Sequence, residues 1–557
     1  MLSESSRPKS ALPKEPVAKA IPATPVDDSN PPPPRADLPK YNARLADDAA
    51  VRYDYNTTVG SHAAARDDLA PGTEVYTEVT AVGVVRHSLT ALACDACFRA
   101  LPAAPKPAEG QKAVPAGVGC ADCAAVRYCS EDCRDRVSAR HKLECALAAP
   151  LDKIRQERNM DPDLLRLAVR ILALQHLGEA ADVTDVPTRR EAFDEAWVTA
   201  VSTVAEDLVA VLPENLATSA DTVIDLACRI SVFAQGFSDP THTAASGGVG
   251  LFPTMAQFFP HSCDPNCVLV GTAPGRLAIR TVRSVSAGEP LTVSFVDLYH
   301  PREQRRRDLL INKRFWCECP RCSALLSNSV DRYMDGILCR RCRRGVMIFE
   351  ETKEVADINA LMKDVTILDN EIQGKCAECE TCHTRIPVTE LVAALKSAIE
   401  DFAAAMQLVR QRRLPEARQA LEAYLLRYER GRVLHTYNSY LLNSLIPLMN
   451  ACLALNDLHG AVTHNKTVLE RMTTSGALPP FSPDIADFHV HLADLYLRLV
   501  RNRSGKQSRS GTILIERYRQ WSRESFTRAL VIYTVALGAD HPKTQRVRQR
   551  RDAVASA

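Results

Sequence analysis

Cysteine spacing constrains this chain more than any other feature. Of its 19 cysteines, sixteen lie in or beside pairs and triplets at metal-ligand spacing. Cys94-x2-Cys97, Cys120-x2-Cys123, Cys129-x3-Cys133 and His141-x3-Cys145 all fall between residues 94 and 145. A tetrahedral zinc needs four soft or borderline donors, and a C-x2-C turn puts two sulfurs on one ion, so these eight donors make two sites. Cys317-x-Cys319-x2-Cys322 follows, then Cys339-x2-Cys342 and Cys376-x2-Cys379-x2-Cys382. A disulfide framework is the competing reading. It fits poorly, because the chain is long and its start, Met1-Leu-Ser-Glu-Ser-Ser-Arg-Pro-Lys9, has no apolar core of a secretory signal. Zinc is therefore expected. Cys228, Cys267 and Cys452 stand outside the clusters and read as ordinary buried thiols.

A chain of 557 residues exceeds one hydrophobic core, which implies roughly two to four domains. A net charge of +2 argues against a protein that coats nucleic acid. No motif supplies a basic recognition helix, so specific nucleic-acid binding is not expected. No run of eighteen apolar residues is present, so no membrane-spanning helix is expected. The expected location is intracellular, with nucleus and cytoplasm both open.

Residues 1–48, with Pro31-Pro-Pro-Pro34 and few aromatics, are expected to be a disordered tail. A Pro71-Gly72 turn precedes the alternating run Thr73-Glu-Val-Tyr-Thr-Glu-Val, which signals a strand. Leu164-Leu-Arg-Leu-Ala-Val-Arg-Ile-Leu and Val201-Ser-Thr-Val-Ala-Glu-Asp-Leu carry apolar stripes at helical spacing. From Leu391 onward come paired helical segments with small Ala residues, which suggests stacking of the tetratricopeptide (TPR) kind. Arg501–Gly511 reads as a basic, solvated loop.

His261-Ser-Cys-Asp-Pro-Asn266 is followed by Gly288-Glu-Pro-Leu-Thr-Val-Ser-Phe295 and by Cys317-x-Cys319-x2-Cys322. That order resembles the SET lysine methyltransferase domain. Arg127-Tyr-Cys-Ser130 and His141-Lys-Leu-Glu-Cys145 are similar to the MYND finger. Together they resemble the SET and MYND domain (SMYD) family, from about residue 50 to the C-terminus. The resemblance implies an α+β SET fold in pieces. These are an N-terminal part at 49–93, a MYND finger at 94–145 and a helical insert at 146–235. A core at 236–316 and a post-SET zinc motif at 317–325 follow. Beyond them come a zinc-ribbon-like segment at 326–390 and a helical TPR-like domain at 391–557. In the family the chain end threads under a preceding loop. The implied ligand sets interleave in the finger: Cys94, Cys97, Cys129 and Cys133 hold one zinc, and Cys120, Cys123, His141 and Cys145 the other. Cys263 joins Cys317, Cys319 and Cys322 at a third site. Cys339, Cys342, Cys379 and Cys382 are chosen for a fourth, with Cys376 able to replace one of the last pair.

The implied activity is S-adenosyl-L-methionine (AdoMet)-dependent methylation of a protein lysine, histone or otherwise, by a monomeric enzyme with no membrane partner. Pro-rich peptides are implied as partners of the MYND finger. Cofactor contacts are implied for Gly60, Ser61, Gln235, His261 and Phe315. Phe295 and Lys313 stand where the family has tyrosines of the lysine channel. Tyr299 is a candidate to return a hydroxyl. His62, Gln235, Pro260, Phe295 and Lys313 all depart from the family's usual residues. The alternative is a catalytically weak or inactive zinc-binding scaffold.

Overall fold

The computed structural model describes residues 37–56, 59–102, 116–179, 181–241, 247–349, 375–503 and 509–556. Residues 1–36, which include Pro31–Pro34, lie outside them. The fold begins earlier than expected, with helix α1 (Leu38–Ala43) inside the span read as a tail. Tyr41 is buried there and meets Tyr53 and Phe258 with ring centroids 6.1 and 4.9 Å away. One aromatic anchor outweighs the polar sequence around it, because a tyrosine ring buries far more apolar area than its neighbours expose.

Strands β1 (Val51–Asn56) and β2 (Gly60–Ala65) form an antiparallel pair. Next come β3 (Glu74–Val79) and β4 (Val82–Val85). The finger holds the short pair β5 (Val118–Gly119) and β6 (Arg127–Tyr128), then α2 (Glu131–Arg136) and α3 (Ser138–Cys145). The insert is α4 (Ala148–Arg158), α5 (Pro162–His176), α6 (Glu195–Val211) and α7 (Ala220–Phe233). Local sequence sets three of those helix starts. Asp161, Asp194 and Ser219 accept the backbone N–H of Asp163, Trp197 and Thr222, a cap worth about 1 kcal/mol each.

The chain then returns to the sheets through β7 (Gln235–Ser238), β8 (Gly247–Leu251), α8 (Pro253–Phe258), β9 (Cys267–Ala273) and β10 (Arg276–Thr281). Strand order is β4-β8-β7 in one sheet and β3-β10-β9 in another. Val82 pairs with Leu251 and Glu78 with Leu277, so strands from before the finger complete sheets made after the insert. Residues 289–293 cross between the two halves. Leu291 N–H donates to Ala63 O, while Val293 N–H donates to Pro260 O and accepts Ser262 N–H at its own carbonyl. The buried Asn266 side chain braces the crossing, donating to Pro290 O at 2.8 Å and accepting Thr292 N–H at 2.8 Å.

Helices α9 (Arg302–Lys313) and α10 (Pro320–Ser323) flank the post-SET cysteines, with Cys317 and Cys319 between them and Cys322 on α10. Strands β11 (Met347–Ile348), β12 (Cys376–Cys379) and β13 (Arg385–Pro387) form a three-stranded sheet in the ribbon-like segment. The helical domain follows as α11 (Val388–Arg410), α12 (Leu414–Leu425), α13 (Ser439–Ala454), α14 (Leu458–Thr474), α15 (Pro483–Arg503), α16 (Arg509–Ala536) and α17 (Pro542–Ser556). Each packs on the next in sequence, as expected of stacked repeats. The basic loop expected at 501–511 is helical at both of its described ends. Arg501–Arg503 finish α15 and Arg509 opens α16, while 504–508 lie outside the described residues.

The C-terminal domain shares a core with the SET sheet. Val270, Val282 and Tyr299 sit in one cluster with Leu492, Phe526 and Tyr533. His541 Nε2 lies 2.9 Å from Gly271 O, and Arg321 donates to Ala477 O at 2.9 Å. Among the described residues no helix is long and apolar enough to cross a membrane.

Candidate active site and metal centres

Four donor sets converge. Cys94, Cys97, Cys129 and Cys133 form one, and Cys120, Cys123, His141 and Cys145 another. Cys263, Cys317, Cys319 and Cys322 form the third, and Cys339, Cys342, Cys379 and Cys382 the fourth. Within each set all ligand atoms lie within 4.8 Å of one another. Four thiolates bound at about 2.3 Å to a tetrahedral ion stand about 3.8 Å apart. The Sγ–Sγ distances are 3.7 Å for Cys97–Cys129, 3.5 Å for Cys322–Cys263 and 3.6 Å for Cys342–Cys379. Disulfides require about 2.05 Å, and all 19 cysteines are free thiols. His141 turns Nε2 to within 3.6 Å of Cys123 Sγ. The donors fit zinc in number, type and spacing. Cys376 is exposed and stands outside the fourth set.

Each of two sets is fastened by buried charge that the sequence reading missed. Arg305 is fully buried on α9. Its Nε donates to Cys263 Sγ at 3.2 Å and its Nη2 to Cys322 Sγ at 3.5 Å. The same guanidinium grips Asp331 through Nη1 at 2.9 Å and Nη2 at 2.8 Å. Arg321 donates to Asp331 at 2.7 Å and to Cys263 O at 3.0 Å. Four thiolates on a divalent ion leave a net negative charge, and a buried guanidinium answers it with directed N–H donors. Burial raises Asp331, but Arg305 and Arg321 outweigh it and hold the carboxyl down at about 2. In the finger, Asp95 is buried beside Cys94 and receives Arg170 at 2.7 Å and Arg140 at 2.9 Å. The available signal was the run Arg305-Arg-Arg307 on a helix directly before a cysteine motif.

The third set is continuous with the expected pocket. His261 Nε2 lies 3.2 Å from Cys263 Sγ, and its Nδ1 accepts the N–H of Phe295 at 3.1 Å. Accepting at Nδ1 places the ring proton on Nε2, toward the sulfur. Burial keeps the ring neutral, pushing its pKa down to about 4. His261 thus joins the metal set to the Phe295 backbone, and offers a cofactor only its ring face and backbone. Its centroid lies 5.6 Å from Phe295 and 6.0 Å from Phe315. These three rings lie together.

Lys313 is half-buried. Its Nζ donates to Val232 O at 2.7 Å and lies 5.4 Å from the Phe295 ring centroid. Burial pushes the amine down to about 8. Tyr299 is not brought to this pocket. It is buried in the cluster of the C-terminal domain, and its hydroxyl faces Ser475 without completing a hydrogen bond. Apolar packing against the helical domain, two residues past the Asp297 turn, turns it away from Phe295. The expected return of a hydroxyl by Tyr299 is therefore corrected: Phe295 has no hydroxyl donor from that side chain.

Gly60 takes φ 76°, and the space where a Cβ would stand is empty to 4 Å, which suits backbone approach by a ligand. Ser61 follows it in β2, half-buried. His62 is buried and turns Nδ1 back to Gly60 O at 2.8 Å, so the ring is held by its own strand. Gln235 opens β7, three residues after the carbonyl that Lys313 grips, with its side chain half-exposed. An open glycine edge, Phe315 and Gln235 fit a nucleoside-bearing cofactor in residue type.

Comparison with known proteins follows the same lines. The SET domain family model matches residues 111–296. N-lysine methyltransferase SMYD2 of Gallus gallus is 23% identical over 441 residues, covering 77% of this chain and 84% of that protein. N-lysine methyltransferase SMYD2-A of Danio rerio is 24% identical over 444 residues, covering 78% and 85%. A solved SET domain of LSMT, bound to lysine and AdoHcy, aligns at 11% identity with a TM-score of 0.23, too low to carry an argument. The SET match, the length shared with the SMYD2 proteins and the two interleaved finger tetrads support reading this chain as a divergent relative of the SET and MYND domain proteins.

Proposed function

We propose that this protein is a protein-lysine N-methyltransferase that uses AdoMet. The SET match over residues 111–296 carries the reading. The kinship with N-lysine methyltransferases across 77% of the chain supports it. When bound, AdoMet supplies an electrophilic methyl group. Transfer to an amine is an in-line displacement that needs positioning and an unprotonated acceptor, with no metal at the reacting centre. The chain's own residues are suited to positioning. Phe315 offers an aromatic face for the adenine, and Gln235 offers an amide for polar contact. Gly60 leaves room for backbone approach. The zinc sets are structural, and the third keeps His261, Phe295 and Phe315 in one cluster. The substrate is a lysine side chain of a protein.

Phe295 and Pro260 favour a second reading, a scaffold with weak or no catalysis, because neither offers the side-chain group the family uses there. A cavity of about 540 Å³ between the second finger set and helices α4 and α5, lined by Cys123, His141, Leu151 and Leu165, would serve such a scaffold as a peptide site. Calorimetry of AdoMet binding to the zinc-replete protein separates the readings. Micromolar binding that Phe315→Ala abolishes is the expected result. No binding at millimolar AdoMet would leave the scaffold.

A further inference from the structure

Lys313 ends where a lysine is seldom left. Helix α9 stops at this residue, and Arg314 closes it in the left-handed region at φ 58°. The turn fixes Lys313 in place and sends its side chain toward α7. There Nζ donates to the carbonyl of Val232 at 2.7 Å, and the aromatic face of Phe295 lies 5.4 Å away. Burial lowers its proton affinity. A surface lysine commonly keeps its charge in water or pairs it with an acid. This half-buried one has a carbonyl and an aromatic face as its partners instead, and among the described residues it forms no ion pair with a carboxylate.

Those surroundings suit an amine that reacts. A methyl acceptor must be unprotonated, must have one direction left open for its lone pair, and must be shielded from water. The Val232 carbonyl takes one N–H and so orients the nitrogen. Phe295 walls one side and offers no competing donor. Burial lowers the amine to about 8, which leaves about a tenth of it neutral at pH 7. Phe295 also adjoins His261 at 5.6 Å, which in turn adjoins Phe315 at 6.0 Å. Two rings thus link the amine to Phe315, and the carbonyl it grips lies three residues before Gln235.

We propose that Lys313 is itself a methyl acceptor, methylated in cis by the chain that carries it. This rests on the AdoMet reading of the preceding subsection. In the step, the neutral Nζ lone pair attacks the methyl carbon of a sulfonium donor. The C–S bond breaks and its electron pair stays on sulfur, which leaves as a neutral thioether. A new N–C bond forms, and one proton passes from the resulting ammonium to water.

The experiment has two readouts. Zinc-replete full-length protein is incubated with methyl-deuterated AdoMet and no other protein, then digested at Glu and Asp and analysed by mass spectrometry. Label on the peptide carrying Lys313 is expected, with an extent that does not change over about a ten-fold range of protein concentration, as an intramolecular step requires. In parallel, calorimetry compares AdoMet with its thioether product S-adenosyl-L-homocysteine. A lysine ammonium facing a sulfonium disfavours the cation, so Lys313→Met should shift the affinity ratio toward AdoMet by about ten-fold. Lys313→Gln is the second variant should the first fail to fold. AdoMet that binds while Lys313 stays unlabelled overturns the proposal and leaves the AdoMet reading intact. A ratio unmoved by Lys313→Met or Lys313→Gln also overturns it, since Nζ would not face the donor. Failure of both ligands to bind removes the two readings together.

Discussion

The first finger set and the post-SET set hold the same four cysteine donors in different settings. In the finger, Cys129 is exposed and only Cys94 is buried. Its support is local: the Ser130 hydroxyl caps α2 by accepting Cys133 N–H at 3.2 Å. The buried Asp95 clamp sits beside the ligands and joins the finger to α5 through Arg170 without touching a sulfur. In the post-SET set, Cys263, Cys317 and Cys322 are all buried. Arg305 donates directly to two of the sulfurs, and His261 links one of them, Cys263, to the backbone of Phe295. The difference teaches that one metal holds a module onto the fold, while the other holds the pocket itself together.

Removing a ligand from each set tests that contrast most severely. Cys317→Ser should release one zinc and abolish AdoMet binding. Cys129→Ser should release finger zinc and leave AdoMet affinity within about two-fold, since additivity holds for sites with no shared partners. Metal analysis with calorimetry reads both. Equal loss of binding in the two variants would erase the distinction.

The clamps give the next effect. Arg305→Met leaves Asp331 buried with fewer partners and the thiolates without their donor, which should cost about 3 kcal/mol of stability. It should also weaken AdoMet binding. Arg170→Met strips Asp95 in the same way, should cost a similar amount, and should leave the pocket alone. Denaturant unfolding gives the first comparison and calorimetry the second.

Acid sharpens it further. Asp331 is held at about 2 in the fold, below an unfolded value of about 3.9. The unfolded chain therefore binds the proton more readily. The stabilisation is fully present above about pH 5 and is lost as pH falls through about 2, a contribution of about 2.6 kcal/mol. Asp331→Asn should flatten the stability profile in that window relative to the natural chain, read as the difference between the two melting curves. A parallel slope in both would remove the carboxylate from the account.

The smallest effect is expected at Tyr299. Its buried hydroxyl lacks a partner, so Tyr299→Phe should change stability by less than about 0.5 kcal/mol and leave AdoMet affinity unchanged. A loss of binding would return that hydroxyl to the pocket and contradict its place in the C-terminal core.

Metal chemistry was legible because it is written in short spacings. C-x2-C and C-x-C-x2-C fix donors within one turn, so they can be read before any fold is known. Helices α5 and α6 were legible through their apolar stripes, and the helical character of the C-terminal segment was legible from Leu391 onward. Which half-sites meet was not carried by spacing. Cys263 reaches Cys322 across 59 residues, and its assignment came from resemblance. The start of the fold at Leu38 was missed because a single buried ring, Tyr41, decided it.

By itself the sequence determined the donors, their pairing into knuckles, and the identity of the residues at the pocket. Tertiary structure alone decided where their side chains go. Tyr299 and Phe295 are four positions apart, yet one enters the C-terminal core and the other the post-SET cluster. Lys313 is polar in sequence, yet it is drawn inward by a carbonyl on a helix some eighty residues earlier. Arg305 reads as one of three surface arginines, yet it is the buried donor to a metal set. A side chain's direction depends on what lies across from it, and those neighbours are far away in the chain. No local pattern encodes them.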